Sequence, residues 1–276
     1  MKRIAMTGGS GHIASRIRNF LRPEVDFLRL IDVRPPEALH DHEEYVEADL
    51  ADASSMFAAL RGVDAVIHFG GISTEAEFDD ILSANICGVY NLYEAARGND
   101  VRRIVLASSN HTVGFYPRTE TVSPLDVPRP DSRYGLSKCW GELVAGYYFD
   151  TVGIRTLSIR IGNAADFPTS ERAAAIWVSA RDLWQLVQIG LTHPEIAAAV
   201  VFGASRSPAG WWRDEVAERL GYRPRDNASD FLRDEAPKES AVAGFFQGGP
   251  FCDPGHDGII RLRDRDGLVE RPETTQ

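Results

Sequence analysis

The stretch "RIAMTGGSGHIASRIRNFL", residues 3–21, decides the fold. "RIAM" (3–6) is a short apolar run that passes straight into glycine-rich sequence, and across 12–21 the apolar residues return at helical spacing. A strand, a glycine turn and a helix in that order open a βαβ unit. Gly8 and Gly11 stand three apart and Ala14 three further on. This is a G-x-x-G-x-x-A form of the dinucleotide fingerprint, set between strand and helix where its mechanism needs it. Glycines let the backbone approach a pyrophosphate, and the helix N-terminus favours its negative charge. A small residue at 14 lets helix and strand pack closely. A tight glycine turn with no ligand is the alternative reading.

Outward from this unit the same alternation continues. "FLRLIDV" (27–33), "EYVEADL" (44–50), "DAVIHFGG" (64–71), "RIVLASS" (103–109) and "IRTLSIRIG" (154–162) read as strands. Between them, 53–60, 75–97 (as one helix or two joined ones) and 132–150 read as helices. The expected fold is therefore α/β, a Rossmann-type doubly wound parallel sheet. Beyond 162 the pattern loosens, with helical spacing at 180–191 and 211–221 and a strand at 198–205. We expect a single NAD-binding unit over 1–251, with a small C-terminal region, mainly 163–251, that faces the substrate. Residues 252–276 are polar, have little periodicity and read as a tail.

The bulk composition bounds the partners. The 276-residue chain is 43% hydrophobic and carries a net charge of −10, spread along its length. That argues against a nucleic-acid backbone as partner. No run approaches the ~18 apolar residues of a membrane span, and the N-terminus lacks a signal-peptide core. Cys87, Cys139 and Cys252 are far apart and odd in number, which suits buried thiols of a reducing compartment. We expect a cytoplasmic protein with no membrane or nucleic-acid partner. "HDHEE" (40–44) has metal-ligand residue types without the spacing of a helical zinc site, so it reads as a solvated loop and no metal is expected. Trp211 and Trp212 read as aromatics packing a late helix on the sheet.

Asp32 ends the second strand, 21 residues beyond Gly11. A carboxylate there accepts hydrogen bonds from ribose hydroxyls and repels a 2′-phosphate, which points to NAD over NADP. Arg34 lies nearby and weakens that preference. Asp49 and Leu50 follow the third strand, where they can meet an adenine, or Asp49 can cap the helix over 51–61. Phe69, Gly70 and Gly71 end the fourth strand facing the middle of the cofactor, or form a plain loop.

"YGLSK" (134–138) places Tyr134 and Lys138 one helical turn apart on one face. Tyrosine is a weak base at its free pKa of ~10. A fixed positive charge beside it stabilises the phenolate and brings proton transfer within reach near neutral pH. Ser109 ends the fifth strand 25 residues before Tyr134, at the sheet edge where ligands bind in open α/β folds.

Together "TGGSGHIA", Asp32, "ANICGVYNLYEAA" (84–96), the "SS" of the fifth strand and "YGLSK" resemble the extended short-chain dehydrogenase/reductase superfamily. "HFGGIS", "ASSNHTVGFYPRT", "YGLSKCWGE", "RIGN", "GASRSPAGWW" and "FQGGPF" resemble, more narrowly, its uronate dehydrogenases, over roughly residues 1–251. The resemblance implies NAD-dependent oxidation of a hexuronate, such as glucuronate or galacturonate, at the anomeric carbon to an aldarolactone. It implies Ser109, Tyr134 and Lys138 as catalytic residues, Tyr134 as the base, with Asn85 supporting them. It adds His12, Ile13, Ile161 and Lys138, the last on the nicotinamide ribose, to the cofactor contacts. It implies Ser73, Ser109, Asn110, His111 and Tyr134 on the sugar and Arg172 on its carboxylate, a role that suits a planar fork. It also implies a homo-oligomer. One position departs: the resemblance implies serine after "RIG", as a substrate contact, where this chain has Asn163, and the stretch after it diverges too. Sugar preference therefore stays open. A nucleotide-sugar epimerase or dehydratase, a neutral-aldose dehydrogenase and a non-enzymatic NAD-sensing protein are the other readings.

Overall fold

The computed structural model describes residues 3–233, 235, 238–263 and 267–268. Along the chain come β1 (Arg3–Thr7), α1 (His12–Leu21), β2 (Phe27–Asp32), β3 (Glu43–Glu47), α2 (Ala53–Ala59), β4 (Ala65–His68), α3 (Phe78–Ile81), α4 (Gly88–Gly98) and β5 (Arg103–Ser109). Then follow α5 (Arg133–Val152), β6 (Arg155–Ile161), α6 (Glu171–Ala175), α7 (Ala180–Thr192), β7 (Ala198–Gly203), α8 (Glu215–Arg219) and α9 (Ala241–Phe245). Among the described residues the strands form one seven-stranded sheet, ordered β3-β2-β1-β4-β5-β6-β7, and every pairing in it is parallel.

A parallel sheet is covered on both faces, which is why its strands read as apolar runs. Ile4 and Met6 of β1 pack with Ile17 and Leu21 of α1 and Leu186 of α7 on one face. Ala5, Val66, Ile104 and Leu106 pack with Leu92 of α4 and Val144 of α5 on the other. The strand order reverses between β1 and β4, and the crevice at the C-terminal ends of the strands opens at that switch.

Some expectations shift in detail. The helix over 75–97 is interrupted: a π-helical turn, Leu82–Cys87, separates α3 from α4. Such turns gather at functional sites, and this one carries Asn85. The helix expected over 211–221 shortens to Glu215–Arg219, because Asp214 caps it by accepting from Ala217 N at 2.7 Å. Trp212 precedes the cap and stacks on Phe202 of β7, 4.3 Å between centroids. "HDHEE" is only partly a solvated loop. Glu43 opens β3 with its side chain 1% exposed, paired at 2.6 Å with Arg18. Of the expected tail, Cys252 is buried in a 3-10 turn, Gly249–Cys252. The thiols expected to be buried differ: Cys87 is exposed at the end of the π-helical turn and Cys139 is half-buried. Residues 264–266 and 269–276 lie outside the described residues. No helix among the described residues is long and apolar enough to cross a membrane.

Candidate active site

The glycine turn is shaped by close backbone approach. Gly8 has φ +67, and a Cβ there would sit 2.7 Å from Gly70 N and Phe69 C. The β4 loop thus packs directly on the β1 loop, which only glycine permits. Gly11 N donates to Gly8 O at 2.9 Å, and Gly11 is the N-cap of α1. Gly9, outside the G-x-x-G-x-x-A pattern, is also tight: a Cβ would lie 2.8 Å from Leu30 Cβ. Asp32 is aimed by this loop, since its carboxylate accepts from Ser10 N at 3.1 Å and Arg34 N at 3.2 Å. A cavity of about 580 Å³ opens over these groups, lined by Gly8, Gly11, Asp32, Arg34, Asp49 and Leu50 among others. Asp49 is not the cap of α2; Asp52 is, accepting from Ser54 N and Ser55 N. Asp49 instead accepts from Ala51 N at 2.9 Å.

A second cavity, about 380 Å³, lies at the tips of β5 and β6. Ser109, Asn110, His111, Tyr134, Lys138 and Ile161 line it. His12, Ile13, Phe69, Gly70, Gly71 and Ser73 line both cavities, so the two form one cleft. Ser132 caps α5, accepting from Gly135 N at 3.0 Å, and Glu75 accepts from Tyr134 N at 3.1 Å. Tyr134 and Lys138 therefore stand on the first turns of a helix anchored at its N-terminus. Burial pushes the Tyr134 phenol up to about 12; a hydrogen bond with Ser109 opposes that and the charge of Asp131 adds to it. Burial pushes the Lys138 ammonium down to about 8, so it is still mostly protonated at neutral pH. Its Nζ donates to Ala107 O at 3.0 Å and lies 5.5 Å from the Tyr134 ring centroid.

Three expected site residues line neither cavity. Asn85 is a strut: Oδ1 accepts from Ile72 N at 2.8 Å, while Nδ2 donates to Ile72 O and Ser137 Oγ, each at 3.0 Å. It ties the loop after β4 to the helix of Tyr134. Asn163 turns its Oδ1 back to accept from Ala165 N at 3.0 Å, and its neighbours Gly162, Ala164 and Ala165 line the cleft instead. Arg172 donates through Nε to Gln247 O at 2.9 Å and through Nη2 to Gly248 O at 2.6 Å, so two carbonyls hold most of its fork. Its pKa is brought down to about 10, first by burial and then by Arg118.

Other residues escape sequence reasoning because their partners are distant in the chain. His111 Nδ1 lies 2.7 Å from Asp131 Oδ2, and its ring stacks on Phe251 with centroids 3.8 Å apart. Ser108, beside Ser109, donates to Glu142 Oε1 at 2.5 Å. Glu142 lies on α5 two turns beyond Tyr134 and binds Arg160 of β6 at 2.9 and 2.8 Å. A run of polar residues at a strand end was the available signal for Ser108; none pointed to Asp131, Glu142 or Arg160.

Geometry of this kind places the chain among Rossmann-fold enzymes that take a hydride from a carbon and a proton from its hydroxyl beside a bound dinucleotide. Comparison with known proteins agrees. The model of the NAD dependent epimerase/dehydratase family matches residues 4–165. The uronate dehydrogenase of Pseudomonas putida is 44% identical over 258 residues, covering 92% of this chain and 96% of that protein. The crystal structure of uronate dehydrogenase from Agrobacterium tumefaciens superposes with a TM-score of 0.87 at 42% identity, covering 92% of this chain and 97% of that one. A mutant of that enzyme has been solved complexed with NAD. A glucuronic acid dehydrogenase structure from Chromohalobacter salexigens gives a TM-score of 0.88 at 40% identity, covering 92% and 98%. The chain belongs to the NAD dependent epimerase/dehydratase family, in its uronate dehydrogenase branch.

Proposed function

We propose that this protein oxidises a hexuronate, of the glucuronate or galacturonate type, at its anomeric carbon to the aldarolactone, with NAD as cofactor. The observation that carries this reading is the convergence of Ser109, Tyr134 and Lys138 on a cavity continuous with the one over Asp32. The larger cavity suits a dinucleotide, with glycine backbone for the pyrophosphate, Asp32 for the ribose hydroxyls and Leu50 for the adenine face. When bound, NAD supplies the acceptor for the hydride leaving C1.

The chain's own residues handle the proton and the orientation. Tyr134 takes the proton of the anomeric hydroxyl. Ser109 orients that oxygen, and the Lys138 charge favours the phenolate. Ser73, Asn110 and His111 bind the sugar hydroxyls. Arg172 is the cation proposed for the substrate carboxylate, through Nη1, the nitrogen its two carbonyl bonds leave over. An absorbance screen for NADH over uronates, aldoses and polyols tests the whole reading. Net NADH from glucuronate or galacturonate is expected. Turnover of nucleotide sugars without net NADH would move the chain to the epimerase reading, and activity confined to neutral sugars would remove the carboxylate role of Arg172.

Asp32 sets the cofactor preference. Asp32→Ala is expected to lower kcat/KM with NAD and raise it with NADP, because the variant no longer repels a 2′-phosphate and Arg34 lines the same cavity. Steady-state kinetics with both cofactors decide this, and an unchanged NAD-to-NADP ratio would remove Asp32 from that role.

A further inference from the structure

Residues 111–115 and 129–131 are laced together by backbone: Phe115 N donates to Arg129 O and Arg129 N to Thr112 O, both at 2.9 Å, and Asp131 N donates to His111 O at 3.3 Å. This lacing delivers the Asp131 carboxylate to the imidazole of His111. The Asp131 side chain is fully buried. Its Oδ2 lies 2.7 Å from His111 Nδ1, and its Oδ1 accepts from Ser132 Oγ at 2.7 Å. The surrounding backbone is built to admit this carboxylate. A Cβ on Gly114 would sit 1.8 Å from Asp131 Oδ2 and one on Gly248 would sit 2.0 Å from it. The imidazole is gripped as well, with Phe251 stacked on its face at 21° and Tyr134 edge-on, 5.8 Å between centroids.

We propose that Asp131 is a positioning residue that holds His111 as the Nδ1-protonated neutral tautomer, so that Nε2 offers the cleft a lone pair for a substrate hydroxyl. An ionised carboxylate only accepts hydrogen bonds, so the imidazole nitrogen facing it must carry the proton. His111 lines the cavity beside Tyr134, and with Nδ1 engaged the nitrogen left for the cavity is Nε2. A lone pair there selects a hydroxyl donor and disfavours a carboxylate. His111 thereby sets which edge of a sugar acid faces it and sends the substrate's own carboxylate elsewhere in the cleft. This inference rests on the sugar-acid reading above.

The charge of Asp131 acts on Tyr134 in the opposite sense. It helps raise the phenol pKa, so removing it favours the base. A loss of activity on neutralising Asp131 therefore reports on the imidazole rather than on Tyr134.

Two measurements test the proposal. Long-range ¹H–¹⁵N correlation spectra of the labelled wild-type protein read the ring tautomer directly, with His111 assigned by the signals lost in His111→Gln. The Nδ1–H pattern is expected; an Nε2-protonated or doubly protonated ring overturns the proposal. This measurement needs no substrate, so it stands apart from the uronate reading, which fails separately if no uronate yields NADH. In Asp131→Asn an amide NH₂ competes for the imidazole, the change that imposes the wrong tautomer in a His–Asp pair. kcat/KM for the uronate is expected to fall about 10–100-fold, by analogy with losing the carboxylate behind a metal-ligating histidine, mainly through KM and with NAD binding retained. A deoxy-uronate lacking the hydroxyl that meets His111 should lose little further in the variant. An unchanged KM, or equal sensitivity with the deoxy substrate, overturns the proposal; should the variant not fold, the wild-type spectrum decides.

Discussion

Tyr134→Phe is expected to lower kcat by about 10²–10⁴-fold, the scale of a positioned acid–base group, while NAD still binds. Phenylalanine keeps the ring that packs edge-on to His111 at 5.8 Å and against Phe251 at 6.1 Å. The substitution therefore removes only the hydroxyl and its bond with Ser109. In the protein as it stands the phenol is held neutral, its pKa pushed up to about 12 chiefly by burial. As the proposed base, Tyr134 needs positive charge beside it, and Lys138, protonated below about pH 8 with its Nζ 5.5 Å from the ring centroid, is proposed to supply part of that charge. A base must lose its proton before it acts, so wild-type kcat/KM should climb as pH rises through the neutral range. That slope should vanish in the variant. Rates from NADH absorbance across pH, with calorimetric titration of NAD, separate loss of chemistry from loss of binding. A variant rate close to wild type would remove Tyr134 as the base.

The second large effect concerns stability. Arg160 and Glu142 are an ion pair with side chains only 2% and 8% exposed. Arg160→Leu leaves the Glu142 carboxylate buried with Ser108 as its remaining side-chain hydrogen bond among those described. Breaking one side of such a pair costs about 3–5 kcal/mol, because the orphaned charge keeps its desolvation penalty. Arg160→Leu combined with Glu142→Leu should recover most of that loss, because no charge is then stranded. Urea unfolding midpoints at constant m measure both effects. A single-variant loss below about 1 kcal/mol, the size of an exposed pair, would show that the site is wetter than its burial implies. The network also borders the proposed site: Ser108 adjoins Ser109, and Glu142 shares α5 with Tyr134 and Lys138. A smaller fall in kcat is expected alongside the loss of stability.

The sequence by itself determined the sheet, the glycine turn after β1 and the placing of Ser109 at a strand end and of Tyr134 and Lys138 on one helix face, because each is written in local spacing. A parallel strand buried on both faces must be an apolar run, a turn that crosses another backbone must be glycine, and a helix puts i and i+4 on one face. The tertiary structure alone decided the rest. Asn85, expected to support Ser109, Tyr134 and Lys138, has an amide whose partners, Ile72 and Ser137, lie across the fold. Asn163 turned onto its own loop, since a short amide finds a backbone N–H two residues away before it finds a cavity. Arg172 was drawn to the carbonyls of Gln247 and Gly248, 75 and 76 positions on. Asp131 and Glu142 had no local pattern at all. A buried charge is specified by the partner that compensates it, and those partners, His111 and Arg160, come together only when the sheet, α5 and the loops around them have closed.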